Sequence, residues 1–515
     1  MKHVLRNRAV LLTLIFAILF SGASCKMKSA SKEHRKIRPE DPWFDSEVIH
    51  IAPEVDTRGK ELSYKEQLLL GSDDKSIAVL SRAYLAEDNA MENNACSFVT
   101  VVDHDTYEEI HTTDLNQFLP EHGYIENIGY SHGRITATVA DWDNGTLVDI
   151  DIDGRTGEKT GEREHRNDQI INGNKSLFRV GKYTVLAGTV FDDDTHDVFF
   201  TLDIESSDGQ HHHIEVGKEN TSLSHIPMIL PLEEDRLLVP ATPNETNIPL
   251  FFEVDIRKEE CSEVDGKDYE WIDFGRISDS LTGNDGQVYF TTTDGISRID
   301  LRNKRIERYF DYDECLINHN HLGDTQIIDC SDGKIIFLGG RRGYFVMGDP
   351  IEIGFDLYVL TKASKNPHAG KTVLELFATN GYADPVVSEA IIRYNSTNPD
   401  FFIEVTDEYK VDSVIYQSRS DTADDTANAL MKRNLSLNDT LAINMVSGTG
   451  PDILIITDDM GRLNNSNYLF DLNSYFGNMD SGKYFTNIID AAKTDGKLYQ
   501  LPLSFGIKGI HTDAK

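Results

Sequence analysis

Cysteine is scarce in this chain: five residues among 515, with no CxxC pair. A disulfide framework needs clustered cysteines and a structural zinc site needs thiolates at short spacing, so neither is expected. Cys315 and Cys330 could bridge a hairpin, and buried free thiols are the equal alternative. Positive charge is also scarce: 50 Lys and Arg stand against 86 Asp and Glu, a net charge of −36. Phosphate backbones are bound through clustered Lys and Arg, so nucleic acid is not an expected partner. Beyond Phe20 no apolar run approaches the roughly 20 residues of a membrane-crossing helix. No nucleophile elbow, P-loop or zinc-protease motif occurs, and neither an enzyme nor a bound metal or cofactor is expected.

The N-terminus carries a clear local pattern. Lys2, Arg6 and Arg8 precede the apolar run Ala9–Phe20, which is followed by "SGASC" and a polar chain. A basic start, a short apolar stretch and a small-residue exit describe a secretory signal. Its ending resembles a bacterial lipoprotein signal, which implies that Cys25 is the lipid attachment site; Gly22 departs from that pattern. An ordinary cleaved signal is the alternative. Residues 26–42 read as a basic linker, with six Lys or Arg against one Glu between Lys26 and Arg38. Such a tether suits an anionic membrane surface, at about 1 kcal/mol per charge.

From Trp43 to Asn366 short alternating strands are broken by Asn, Asp and Gly, with little helical periodicity. One phrase recurs: an apolar pair, an aspartate near a strand end, then a polar turn. It appears at Asp103, Asp151, Asp203, Asp255 and Asp300, spaced by 48, 52, 52 and 45 residues. A looser copy lies near Thr361. A period near 50 with about four strands per unit predicts a β-propeller of about six blades over 43–366. Two β-sandwiches are the competing fold. "WFDSEVIHIA" (Trp43–Ala52) would be a closing strand or the remnant of a seventh blade. "DDDTHD" (Asp192–Asp197), His211–His213 and "NHNH" (Asn318–His321) invite a metal reading, but solvated tips and edge-strand histidines account for them more simply. Glycan cleavage by this region would need paired carboxylates facing a central funnel.

Texture changes at "KASKNPHAGKT" (Lys362–Thr372). Strands and helices then alternate, which predicts a parallel sheet covered by helices over 367–515. "TVLELFAT" and "FFIEVTDEY" read as strands, and Pro385 opens a helix with Asp384 as its N-cap. Leu437, Leu441 and Met445 repeat every four residues. Gly448 or Gly450 ends that helix, and "DILIIT" is a buried parallel strand. Its carboxyl end delivers Thr457, Asp458 and Asp459 to the sheet edge where open α/β sheets bind ligands.

The order "LELFAT…SEAIIRYNSTNPDFFIEV…SGTGPDILIIT…YLFDLNSYF…DGKLYQLPLSFG" resembles the sugar-binding branch of extracellular solute-binding proteins of ABC importers, over about the last 145 residues. The resemblance implies a two-lobed clamp anchored at the outer face of a bacterial membrane, passing a solute, expected to be an oligosaccharide, to permease subunits. It implies ligand contacts from Asn380, Gly381, Tyr382, Thr457, Asp458, Asp459, Ser504 and Phe505. Tyr468 and Tyr475 read as core residues. The sequence reaches Lys515 where the family's chain first crosses to its second lobe, so this lobe is expected to be incomplete. The alternative function is a surface sensor or interaction protein whose propeller binds a protein or glycan.

Overall fold

The computed structural model describes residues 32–51, 62–73, 75–85, 95–120, 123–141, 143–144, 146–165, 176–191, 198–218, 222–233, 235–244, 248–272, 274, 277, 280–283, 285–292, 294–319, 322–331, 333–341, 351–352, 355–378, 383, 385–406, 436–455, 461–476 and 479–503. They form two compact units, one of Pro42–Ser364 and one of Met1–Asp41 with Lys365–Lys515.

The Pro42–Ser364 unit is a succession of four-stranded antiparallel meanders. A lone strand β1 (Phe44–His50) comes first. The first meander is β2 (Leu62–Ser72), β3 (Ser76–Leu85), β4 (Ala95–Asp103) and β5 (Glu109–Asp114). The second is β6 (Gly123–Ser131), β7 (Arg134–Asp141), β8 (Thr146–Asp153) and β9 (Lys159–His165). The third is β10 (Ser176–Val180), β11 (Tyr183–Phe191), β12 (Val198–Ser206) and β13 (His211–Val216). The fourth holds β14 (Leu223–His225), β15 (Leu230–Glu233), β16 (Arg236–Pro243), β17 (Leu250–Asp255) and β18 (Glu260–Val264). The fifth is β19 (Ser280–Thr282), β20 (Val288–Thr292), β21 (Gly295–Asp300) and β22 (Arg305–Asp311). The sixth has β23 (Leu322–Ser331), β24 (Lys334–Arg341) and β26 (Phe355–Lys362); the short β25 (Ile351–Glu352), between the last two in sequence, pairs parallel with β2 of the first.

Four of these meanders are sheets of their own, and the third and fifth join through the single pair Arg179–Leu281 into one eight-stranded sheet. The outer strand of the sixth meander is β1, antiparallel to β26 with Phe44 opposite Lys362. "WFDSEVIHIA" is therefore a closing strand. The copy near Thr361 is loose because its fourth strand comes from the other end of the unit.

Neighbouring meanders share their cores, which two separate sandwiches would not do. Leu80 and Val99 pack with Tyr130, Ile135 and Ile152. Val185 and Leu202 pack with Leu237, Val239 and Phe252. Leu238 and Phe251 meet Val288 and Phe290, and Tyr289 and Phe310 meet Ile335 and Phe337. Ile336, Leu338 and Val359 of the sixth meander then pack on Ile77, Val79 and Val102 of the first. That last cluster returns the ring to its start, a propeller-like arrangement in which each apolar face finds a neighbour. The second and third meanders are joined by polar contacts, with Ser131 Oγ donating to Glu205 at 3.1 Å and Arg134 3.9 Å from the same carboxylate.

The recurring aspartates build the outer hairpins. Asp103 Oδ1 accepts from the Asp105 and Thr106 amides at 3.0 and 2.9 Å. Asp255 and Asp300 accept from Lys258 and Asn303, each at 3.1 Å. In the second meander the acceptor is Asp153, two residues beyond the expected Asp151, which instead pairs with Thr136 Oγ1 at 3.1 Å. In the third it is Ser206, whose hydroxyl accepts from the Gln210 amide at 3.0 Å, while Asp203 faces His213. Each turn then needs one left-handed residue: Tyr107, Gly157, Gly209, Glu259 or Lys304, with φ of 59, 70, 81, 55 and 50°. Glycine adopts that geometry without strain; the three others do not.

In the second unit, β27 (Thr372–Ala378) lies between β28 (Phe401–Val405) and β29 (Ile453–Ile455), all parallel. Helix α1 (Pro385–Thr397) crosses from β27 to β28, with Tyr394 buried against Leu376 and Ile403. The next helix, α2, spans 436–447 and seats Leu441 on Phe377, with Leu437 and Met445 alongside as the four-residue spacing requires. Gly448, at φ 77°, ends it. Two short helices follow, α3 (Asn473–Phe476) and α4 (Thr486–Ala491). Tyr468 packs beside Leu441 and Tyr475 beside Phe476, so both are core residues. Residues 32–41, expected within the linker, lie in this unit, where Lys36 bridges Thr372.

Candidate functional site

Three strand ends define the candidate site. Register pairs Leu376 with Val405 on one side and with Ile453 on the other, and Ala378 with Ile455. The carboxyl ends of β27, β28 and β29 therefore stop side by side. Ligands of open α/β sheets bind outside such an edge. In the sequence, Asn380–Tyr382 follow β27 and Thr457–Asp459 follow β29. Asn380, Gly381, Tyr382, Thr457, Asp458, Asp459, Ser504 and Phe505 themselves lie outside the described residues, as does Cys25.

Elsewhere in this unit, polar side chains have structural work. Asp452, in the "GPDI" turn, accepts from the Glu375 amide at 2.9 Å, and its own amide donates to the Glu375 carbonyl at 2.8 Å. That pair sets the register of β29. Asn395 ties α1 to β28: its amide donates to the Ile403 carbonyl at 2.8 Å and accepts from the Ile403 N–H at 2.7 Å. His368 packs on the Phe402 ring and sits 2.9 Å from Lys371 Nζ. Burial, then the Lys371 charge, pushes its pKa down to about 4, so the ring is neutral at pH 7. Lys371 donates to the Asn395 carbonyl at 2.7 Å, and burial lowers its pKa.

In the propeller-like unit, the charged side chains mark joints. Asp235 accepts from Tyr183 and pairs with Arg257 and, at 3.0 Å, with Lys182, latching the third meander to the fourth. The Tyr183 hydrogen bond, with the two cations, holds the Asp235 carboxyl below its usual range. Arg179 is the largest joint: it donates to Ser72 Oγ at 2.6 Å and to the Ile328 carbonyl, while its backbone pairs with Leu281. Four meanders meet at this one residue, three of them through its side chain. His211–His213 lie on the outer strand β13, and His213 Nδ1 is 2.6 Å from Asp203. His319 stacks on Tyr312; "DDDTHD" lies outside the described residues. Cys315 and Cys330 are buried and form no disulfide, and burial raises the Cys315 thiol pKa.

Sequence reasoning missed Arg179 and the docking of residues 32–41. Each rests on partners a hundred or more residues away, and no local pattern announces them.

No known family matches the chain, and no curated protein matches it. Solved structures do. The β-propeller domain of the Trilobed protease from Pyrococcus furiosus is 12% identical over 58% of this chain and 94% of its own, with a TM-score of 0.26. The Hadza microbial sialidase Hz136 is 11% identical over 58% of this chain and 65% of its own, at 0.33. Porphyromonas gingivalis dipeptidyl peptidase 4 is 10% identical over 69% and 50%, at 0.27. Their activities are theirs alone; scores of this size carry no argument about chemistry in this chain.

Proposed function

We propose that the chain is a lipid-anchored extracellular solute-binding protein that delivers a carbohydrate to an ABC permease, with a six-bladed propeller, one blade per meander, as an accessory module. What supports the reading is the side-by-side ending of β27, β28 and β29, joined to the family order of motifs around them. Amides and carboxylates following those strands suit sugar hydroxyls, each hydrogen bond adding about 1 kcal/mol, and Tyr382 or Phe505 offers an aromatic face to a pyranose ring. Cys25 is the point of acylation in this reading, and the outer face of the cell membrane is its place.

The test is a thermal-shift screen of the soluble protein from Lys26 with oligosaccharides and peptides. A ligand at a hundredfold excess over its Kd adds about 2.7 kcal/mol and raises the lobe's melting temperature by several degrees. Asn380→Ala and Asp458→Ala should remove that rise. A screen in which no solute moves the transition overturns the transport reading and favours a surface partner for the propeller.

A further inference from the structure

β27 is flanked twice on one edge. Along its carboxyl half, Leu376–Ala378 pair with β29. Along its amino half the neighbour is the segment before the propeller-like unit. There Val373 N donates to the Arg35 carbonyl at 2.9 Å, Ile37 N to the Lys371 carbonyl at 3.1 Å, and Gly370 N to the Ile37 carbonyl at 2.8 Å. Ile37 is buried. Backbone groups of a central strand must find partners, and these residues supply them where β29 has not yet begun.

Charge makes the match specific. Glu375 and Glu404 are register partners on adjacent strands, and Asp452 bonds the Glu375 backbone; like charges so placed repel. The segment brings a Lys, Arg or His side chain to each. Lys32 Nζ is 2.5 Å from Glu375 and donates to the Gly450 carbonyl at 2.9 Å. His34 Nε2 is 2.8 Å from Asp452, and Arg35 pairs with Glu404. Arg38 pairs with Asp41 at 2.8 Å. Half of the six basic residues that would have faced anionic lipid are thus engaged by the protein's own carboxylates.

We infer that residues 32–41 form a clasp, an antiparallel segment docked on the amino half of β27 by backbone pairing and charge matching, which fixes how far the lobe stands from its N-terminal anchor. With the segment docked, chain length from Cys25 to Lys32 allows at most about 25 Å; with it released as far as Asp41, chain length allows at most about 55 Å. The reach rests on the anchor reading above, whereas the clasp does not. Because the segment runs antiparallel to β27, the tether joins it at Lys32, beside Glu375 and Gly450, level with the middle of β27 and the start of β29.

Hydrogen exchange by mass spectrometry on unacylated protein from Lys26 tests the clasp without lipid or solute. Peptides covering 32–38 and 372–376 should exchange at least about 100-fold more slowly than unstructured chain. Lys32→Glu with Arg35→Glu should abolish that protection, leave β3 and β12 unchanged, and open Lys36 and Arg38 to trypsin. Adding Glu375→Lys and Glu404→Lys should restore it. Rapid exchange of 32–38 in the unmodified protein overturns the inference, as does protection that survives the double charge reversal or is not restored by the swap. Labelled-palmitate incorporation at Cys25 tests the anchor separately, so either idea can fail alone.

Discussion

The two units are built by opposite routes. In the propeller-like unit almost every strand pairs with its sequence neighbour, and one turn design is used four times, at Asp103, Asp153, Asp255 and Asp300, with a turn one residue shorter at Ser206. In the α/β unit the central strand collects partners from residues near 36, 401 and 453. Repetition makes the first unit tolerant of change at any single turn and dependent on the few side chains that join one meander to the next. The second has no repeats, so each polar residue in it has its own assignment.

Breaking that contrast hardest means removing Arg179. Arg179→Met deletes donors to Ser72 and Ile328 from the meeting point of four meanders. Loss of a charged donor to partly buried acceptors should cost about 3 kcal/mol. In a calorimetric scan the propeller-like transition should fall by several degrees while the α/β transition stays. If both fell together, the units would not be independent in the way the contact pattern indicates.

Acid should separate the units next. His368 has a folded-state pKa of about 4, below the ordinary value near 6.5. Between those pH values the unfolded chain takes up a proton that the fold refuses. Its contribution is therefore complete above pH 6.5 and is lost as pH falls toward 4, by about 3 kcal/mol at most. The turn carboxylates behave differently: backbone hydrogen bonds from Thr106 and Asp105 lower the Asp103 pKa, and from Arg155 and Thr156 that of Asp153. Their contribution is lost only below the ordinary Asp range near pH 4. Urea midpoints at pH 7, 6, 5 and 4.5 should decline first for the α/β unit, and His368→Gln should flatten that decline.

The smallest effect carries the opposite sign. Lys304 holds φ 50° at the position where Gly157 stands in a sister turn. Lys304→Gly should stabilise the propeller-like unit by up to about 1 kcal/mol, and Gly157→Ala should destabilise it by more than that, because its Cβ would also meet the His111 ring. Chemical denaturation resolves both, and equal effects of the two changes would dismiss the shared turn design.

How far the sequence revealed this follows from the same contrast. Asp103, Asp255 and Asp300 stood out because a local turn demands a local acceptor, and their spacing disclosed the meander period. Asp151 and Asp203 were misplaced by two and three residues, since the acceptor sits at the hairpin, at Asp153 and Ser206, whatever precedes it. The strands β27, β28 and β29 were legible from apolar runs, and α1 from Pro385. Arg179 and residues 32–41 were not, because side-chain pairing across 107 to 418 residues leaves no periodic trace. Basic side chains at 32, 35 and 38 look the same whether they await lipid or carboxylate.

The closing pair of β1 and β26 has a consequence for biosynthesis. Phe44 is among the first residues of its unit to be made, and its partner Lys362 is nearly the last. At typical elongation rates of about 5–20 residues per second, β1 waits some 15–60 s for β26. Through that interval an unpaired strand edge stays available to other nascent chains, so a chaperone that shields the early strand should raise the yield of folded protein more than one acting after release.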